Sequence, residues 1–118
     1  LKAGDRMPYL TVGGTSIYDK LKEPKFHILT FSDGQNIIPD LAEALGDYAA
    51  YADFHELPLY PNVAEIFGKK ESFVVLLRPD NYIGLILETG SPETIRDYLK
   101  YKIRYSLTAM PNNAKQPN

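Results

Sequence analysis

The chain has 118 residues, 44% apolar and 24% charged, which suits one globular domain with its own core and argues against disorder. A net charge of −2 leaves no basic field for a nucleic acid, and no apolar run approaches the ~20 residues that a membrane span requires. Cysteine is absent, which excludes disulfides and every reaction that needs a thiolate.

No apolar stretch follows Leu1-Lys2-Ala3-Gly4-Asp5, so the start is not a secretory signal, and the cysteine-free composition fits a cytoplasmic setting. A first residue of Leu rather than Met points to a fragment of a longer protein. Residues 4–25 are rich in Gly, Pro and Ser. There, Tyr9–Val12 reads as a short strand, Gly13-Gly14 as a turn and Ser16–Leu21 as a brief helical turn. Phe26–Phe31, apolar nearly throughout and bounded by Pro24 and Asp33-Gly34, reads as a buried central strand. A helix is expected from Asn36 or Ile38, capped by Asp33 or Asn36, with Pro39 in its first turn. Ile37, Leu41, Ala44 and Leu45 recur at helical spacing, and Gly46 is placed to end it. Ala50–Leu57 reads as the next strand, with Ala52 and Phe54 facing away from Asp53 and His55. Strand, helix and strand imply a parallel pair joined by a right-handed crossover.

Pro58 and Pro61 punctuate a loop. Asn62 and Glu65 match a capping box for a short helix that holds Val63, Ile66 and Phe67 and closes at Gly68. Ser72–Arg78 and Tyr82–Glu88 are two strands reversed at Pro79-Asp80-Asn81, with Asn81 suited to the left-handed conformation. Ser91-Pro92-Glu93 opens a last helix that runs to about Tyr105. Its stripe of Ile95, Tyr98, Leu99 and Ile103 is expected against the sheet, with Arg96, Lys100 and Arg104 on the opposite side. Tyr98, Tyr101, Lys102 and Tyr105 widen the aromatic arc beyond one sheet contact and form a candidate interface. The expected organisation is one domain over 1–110 and a flexible polar tail over 111–118.

The sum is an α/β domain: a central mixed sheet, parallel β-α-β then an antiparallel hairpin, with helices on both faces. This order is similar to thioredoxin, whose nucleophile sits in the loop after the first long strand. Here that loop is Phe31-Ser32-Asp33-Gly34-Gln35-Asn36, and Lys69-Lys70-Glu71-Ser72-Phe73 lacks the proline such folds carry before the third long strand. A nucleophilic Ser32 would need His27 or His55 as base, and both fall inside strands, so a polar loop is the better reading. Two histidines without cysteine or an acidic pair at ligand spacing match no common metal pattern, and Asp47, Asp53 and Glu56 are expected in solvent. Val12-Gly13-Gly14-Thr15-Ser16 lacks the lysine and the spacing of a phosphate loop. No catalytic, cofactor-binding or metal residue is assigned on these grounds.

Four segments occur in order: Gly4-Asp5-Arg6-Met7-Pro8, Ser16-Ile17-Tyr18-Asp19-Lys20-Leu21, Phe26-His27-Ile28-Leu29, and Val75-Leu76-Leu77-Arg78-Pro79-Asp80-Asn81-Tyr82-Ile83-Gly84. Over residues 4–100 the chain resembles the C-terminal thioredoxin-like domain of FAD-dependent aromatic-ring hydroxylases, the phenol hydroxylase type of flavoprotein monooxygenase. The resemblance implies a redox-inactive accessory domain that braces the flavin-binding and substrate domains of a parent chain, or joins subunits in a homodimer. FAD and NAD(P)H are then cofactors of the parent, with none in this chain, and neither nucleic acid nor membrane is a partner. Gly4, Arg6, Pro8, Arg78, Pro79, Asp80 and Tyr82 carry the motif in structural roles. Pro79 and Asp80 shape the turn, Arg78 pairs with Asp80 or Glu88, and Arg6 anchors the N-terminal arm through backbone carbonyls. The alternatives are a free-standing thioredoxin-fold module that binds a protein or small ligand, and a cysteine-free hydrolase or transferase using Ser32 or His55.

Overall fold

The computed structural model describes residues 1–35 and 38–109, with side chains to Arg104. Strands β1 (Thr11–Val12) and β2 (Thr15–Ser16) form a small hairpin closed by Gly13 and Gly14, both at positive φ. Gly13 also has no room for a side chain, since a Cβ there would stand 2.7 Å from the Tyr60 hydroxyl. A 3₁₀ turn, Ile17–Lys20, follows. The chain then enters β3 (Phe26–Ser32), α1 (Leu41–Ala44), a second 3₁₀ turn (Gly46–Tyr48), β4 (Ala52–Pro58), α2 (Pro61–Phe67), β5 (Phe73–Leu77), β6 (Ile83–Leu87) and α3 (Pro92–Ala109).

Four strands make a mixed sheet in the order β4-β3-β5-β6. β3 pairs parallel with β4 and antiparallel with β5, and β5 pairs antiparallel with β6, with a register shift between Leu76 and Leu77. All five residues of β5 are buried, because its two faces carry two separate cores. Leu29, Phe31, Phe73, Val75 and Ile83 face α2 and the N-terminal segment, meeting Met7, Ile17, Leu21, Val63 and Phe67. Ile28, Ala52, Val74 and Leu76 face the other way, meeting Leu41 and Leu45 of α1 and Ile95 and Leu99 of α3. Helices therefore cover both faces. The period-2 alternation of β3 explains how neighbouring residues reach opposite cores.

The N-terminal arm is part of the sheet architecture. Arg6 bridges Tyr82 antiparallel, the Gly4 N–H donates to the Ile83 carbonyl at 2.8 Å, and the Met7 N–H donates to the Asn81 carbonyl at 2.9 Å. These bonds cover the outer edge of β6 at its start, a place where unpaired backbone groups would otherwise invite association. The Tyr18 hydroxyl donates to the Met7 carbonyl and clips the same arm to the 3₁₀ turn.

Three local expectations are corrected. α1 is one turn, capped by Asp40, whose side chain accepts from the Glu43 N–H, and Gly46 opens a 3₁₀ turn rather than closing a helix. Asp33 accepts from the Gln35 N–H at 2.8 Å and also binds Ser72, as described below, while Asn36 and Ile37 lie outside the described residues. α2 starts with Tyr60 as N-cap and Pro61 in the first turn, without a side-chain capping bond, and Asn62 donates to the Thr11 carbonyl at 2.8 Å. Arg96 does not stand apart on a cationic face. It binds Asp47 at 2.5 Å and the Ala44 carbonyl at 2.7 Å, locking α3 to the turn after α1. The segment 111–118 lies outside the described residues, among which no helix is long and apolar enough to cross a membrane.

Candidate functional site

The parallel register of β3 and β4 sets His27 beside Asp53, and the alternation of β4 returns His55 to the same face. His27 is fully buried. Its Nε2 lies 2.8 Å from the Glu23 carbonyl and its Nδ1 lies 3.1 Å from Nε2 of His55, with the rings stacked at a centroid distance of 5.3 Å. A carbonyl only accepts, so in the neutral ring Nε2 carries the proton and Nδ1 offers its lone pair to the His55 N–H. The Asp53 carboxylate stands 4.0 Å from His27 Nδ1, and Lys25 Nζ lies 3.4 Å from its other oxygen. Burial holds the His55 imidazole below its usual range. The charges of His27 and Lys20 push the same way, and Asp53 opposes them. One donor atom from each of His27, Asp53 and His55 falls within 4.8 Å of the others.

Sequence reasoning left these three residues apart. His27 and His55 are 28 positions distant, and Asp53, expected in solvent, is half-buried beside them. A signal existed: Asp53 and His55 share a strand face, and the expected parallel pairing brings that face to β3. What the residues alone lacked was the register.

The loop after β3 holds no assembled nucleophile. Ser32 pairs with Pro58 at the far end of β3, three positions beyond the point where His55 lies opposite Leu29, about 10 Å at strand rise. Its hydroxyl accepts from the Gly34 N–H at 3.2 Å. Asp33 bonds the Ser72 hydroxyl at 2.9 Å and the Ser72 N–H at 3.2 Å, closing the loop onto the start of β5. A Ser–His–Asp set with Ser32 does not form.

The second place of interest is the β5–β6 turn. The Asn81 N–H donates to the Arg78 carbonyl at 2.8 Å, and Asn81 adopts φ 67°, the left-handed geometry that a three-residue hairpin loop needs after a type I turn. Pro79 presets the first central position. Arg78 forks onto Asp80, Nε to Oδ1 at 3.1 Å and a terminal nitrogen to Oδ2 at 2.5 Å, while Glu88 pairs with Lys69 at 2.7 Å. The Arg78 fork holds the Asp80 carboxyl below its usual range. Arg6 and Arg78 flank the exposed Tyr82 ring, at 5.7 and 5.4 Å from its centre. Arg6 thus reaches an aromatic ring, while the backbone of Gly4 and Met7 anchors the arm. Gly4 takes φ 97°, and Pro8 follows Met7 out of the arm.

Along α3 the aromatic arc divides. Tyr98 packs edge-on to Phe26 and lies over Gly84, where a Cβ would stand 2.8 Å from the tyrosine ring. Lys102 lies across the rings of Tyr98 and Tyr101, at 5.5 and 5.8 Å, and Tyr101 is 63% exposed. The side chain of Tyr105 lies outside the described residues.

No protein-family model matches the chain. It is 30% identical over 100 residues to a flavin-dependent monooxygenase of Mycobacteroides abscessus, a match covering 84% of this chain and 18% of that protein. Among solved structures, OxyS anhydrotetracycline hydroxylase from Streptomyces rimosus superposes with a TM-score of 0.54 at 24% identity, covering 84% of this chain and 19% of that one. The chain therefore spans about a fifth of the length of the proteins it matches. It is similar to a small part of flavin-dependent monooxygenases, as an α/β unit built on a mixed four-stranded sheet.

Proposed function

We propose that this chain is a thioredoxin-like, C-terminal accessory domain of an FAD-dependent, NAD(P)H-using aromatic monooxygenase, bracing its catalytic domains or joining its subunits. The observation that carries the reading is the lopsided match: most of this chain aligns with a flavin-dependent monooxygenase, yet only 18% of that protein is involved. The thioredoxin-like assignment is supported by the strand order, the parallel β3–β4 pair and the hairpin that precedes α3. With no cysteine in 118 residues, a domain of this kind carries no thiol exchange.

The residues present do not fit a resident flavin. A dinucleotide site needs a glycine-rich turn from a strand into a helix whose N-terminus meets the pyrophosphate. Here the helix after β3 is one turn long and capped by the Asp40 carboxylate, whose charge repels an anion. Flavin chemistry accordingly belongs to the parent, and none is routed through these side chains. The surfaces offered to neighbours are the Arg6–Tyr82–Arg78 stack and the Tyr101–Lys102 stretch of α3.

The test is purification of the 118-residue chain beside the parent enzyme with and without it. The chain alone is expected to show no flavin absorbance and to consume no NAD(P)H. The shortened parent is expected to keep its flavin but lose thermal stability or subunit mass. Flavin retained by the chain through gel filtration overturns the reading. An open reading frame without a flavin-binding segment also overturns it and favours a free-standing binding module.

A further inference from the structure

We propose that His27, Asp53 and His55 form a binding site for a borderline divalent transition-metal ion, zinc foremost, which pins strand β4 to strand β3. The proposal rests on the geometry of one sheet face and is independent of the enzyme to which the chain belongs.

Zinc bonds of about 2.0–2.2 Å put the donors of a tetrahedral site roughly 3.4 Å apart. The measured separations are 3.1 Å from His27 Nδ1 to His55 Nε2 and 4.0 Å from His27 Nδ1 to the near Asp53 oxygen, with all three donors inside 4.8 Å. The two imidazole nitrogens thus stand within a few tenths of an ångström of that spacing, and the Asp53 carboxylate closes on them by about half an ångström or more. The site also has its outer support. His27 Nε2 is bonded to the Glu23 carbonyl at 2.8 Å, the arrangement that fixes a ligating imidazole and turns its other nitrogen toward the metal. His27 sits at 0% exposure, so its ring is held by packing, while Asp53 and His55 stand at the open side through which an ion enters.

Two imidazoles and one carboxylate form a donor set of intermediate softness, suited to zinc rather than to magnesium or calcium, which take oxygen. Three protein donors leave a fourth position to water. In the metal-free state one proton stands between His27 Nδ1 and His55 Nε2. On binding, that proton moves to His55 Nδ1, so two neutral rings present two lone pairs and no proton leaves the site. Lys25 holds the far Asp53 oxygen at 3.4 Å, and Lys20 adds a second positive charge near His55. Both oppose the cation, so the affinity falls short of a four-ligand structural site.

Because the unfolded chain does not assemble these donors, bound metal stabilises the folded state. The experiment is a titration of the untagged chain, stripped with EDTA, with zinc chloride by calorimetry and thermal melting, and with cobalt(II) by visible absorption. One equivalent of zinc is expected to bind and raise Tm, and cobalt is expected to develop the d–d bands of a low-coordinate nitrogen–oxygen site. His55→Ala abolishes both signals, and Asp53→Asn, which keeps the side-chain shape, weakens zinc by about tenfold or more. Absence of heat and of any Tm shift at zinc excess overturns the proposal, as does zinc binding that survives His55→Ala. Should His55→Ala fail to fold, Asp53→Asn decides alone, and unchanged affinity in that variant overturns the proposal.

Discussion

Arg78 and Asp80 show how a single pair of side chains sets both a turn and an acid response. The Arg78 fork lowers the Asp80 pKa, and the Arg96 contact lowers that of Asp47 in the same way. A carboxyl whose folded pKa lies below its unfolded value contributes stability above the unfolded value, near 3.8, and loses it as pH falls through the folded one. The two carboxyls are therefore expected to add a steeper drop in Tm below about pH 4 to the shallower loss that begins below about pH 6.5, where the unfolded chain protonates His55 before the folded one does. Arg78→Met is expected to flatten part of that drop in melts followed by circular dichroism. An acid limb identical to that of the unsubstituted chain would remove Asp80 from its cause. Turn chemistry at this scale is local, which is why Pro79-Asp80-Asn81 was readable before any tertiary contact. Asn81 takes φ 67°, a left-handed conformation that asparagine adopts more readily than most residues other than glycine. The partner of Arg78 was open between Asp80 and Glu88, since a hairpin brings both near, and Lys69 takes Glu88.

At the scale of elements, α3 separates packing from display. Ile95 and Leu99 are fully buried against the sheet, Tyr98 fills the space above Gly84, and Tyr101 turns outward. Tyr98→Ala is expected to cost about 1–3 kcal/mol in urea unfolding, because it empties a packed site. Tyr101→Ala is expected to stay within about 0.5 kcal/mol, as surface substitutions do. If α3 joins subunits, Tyr101→Ala lowers the mass seen by light scattering while leaving the melt unchanged. Equal stability losses in the two variants would contradict this division. Long elements with strong periodicity were legible from the residues: β3, β4, β5, β6 and the start of α3 at Ser91, whose hydroxyl accepts from the Thr94 N–H at 3.4 Å. The single-turn α1 was not. Its apolar spacing fits a longer helix, but one short helix contributes little by itself, and tertiary packing of Leu41 and Leu45 decides where the chain turns. The Asn62–Glu65 spacing matched a capping box by composition, yet Pro61 places the helix start two residues earlier and frees Asn62 to bind the β1 strand.

For the whole molecule, the N-terminal arm closes the architecture. Its backbone pairs with residues 81–83, and Met7, buried to 1% exposure, joins the core between α2 and the sheet. Deletion of residues 1–7 is expected to lower stability by about 2–4 kcal/mol, from the lost methionine and the uncovered edge. Concentration-dependent association in light scattering should accompany it. A truncated chain that melts as before and stays monodisperse would show the arm to be an ornament of the fold.

The amino-acid sequence by itself determined the absence of thiol chemistry, the alternating strands, the Pro79-Asp80-Asn81 reversal and the last helix. Each of these depends on residue chemistry and on spacing within a few positions. The tertiary structure alone decided that the Arg6 guanidinium meets the Tyr82 ring, that Arg96 ties α3 to Asp47, and that His27, Asp53 and His55 meet on one face of the sheet. Spacing along a strand states which face a side chain takes. Only the register between strands distant in sequence states which neighbour it meets there.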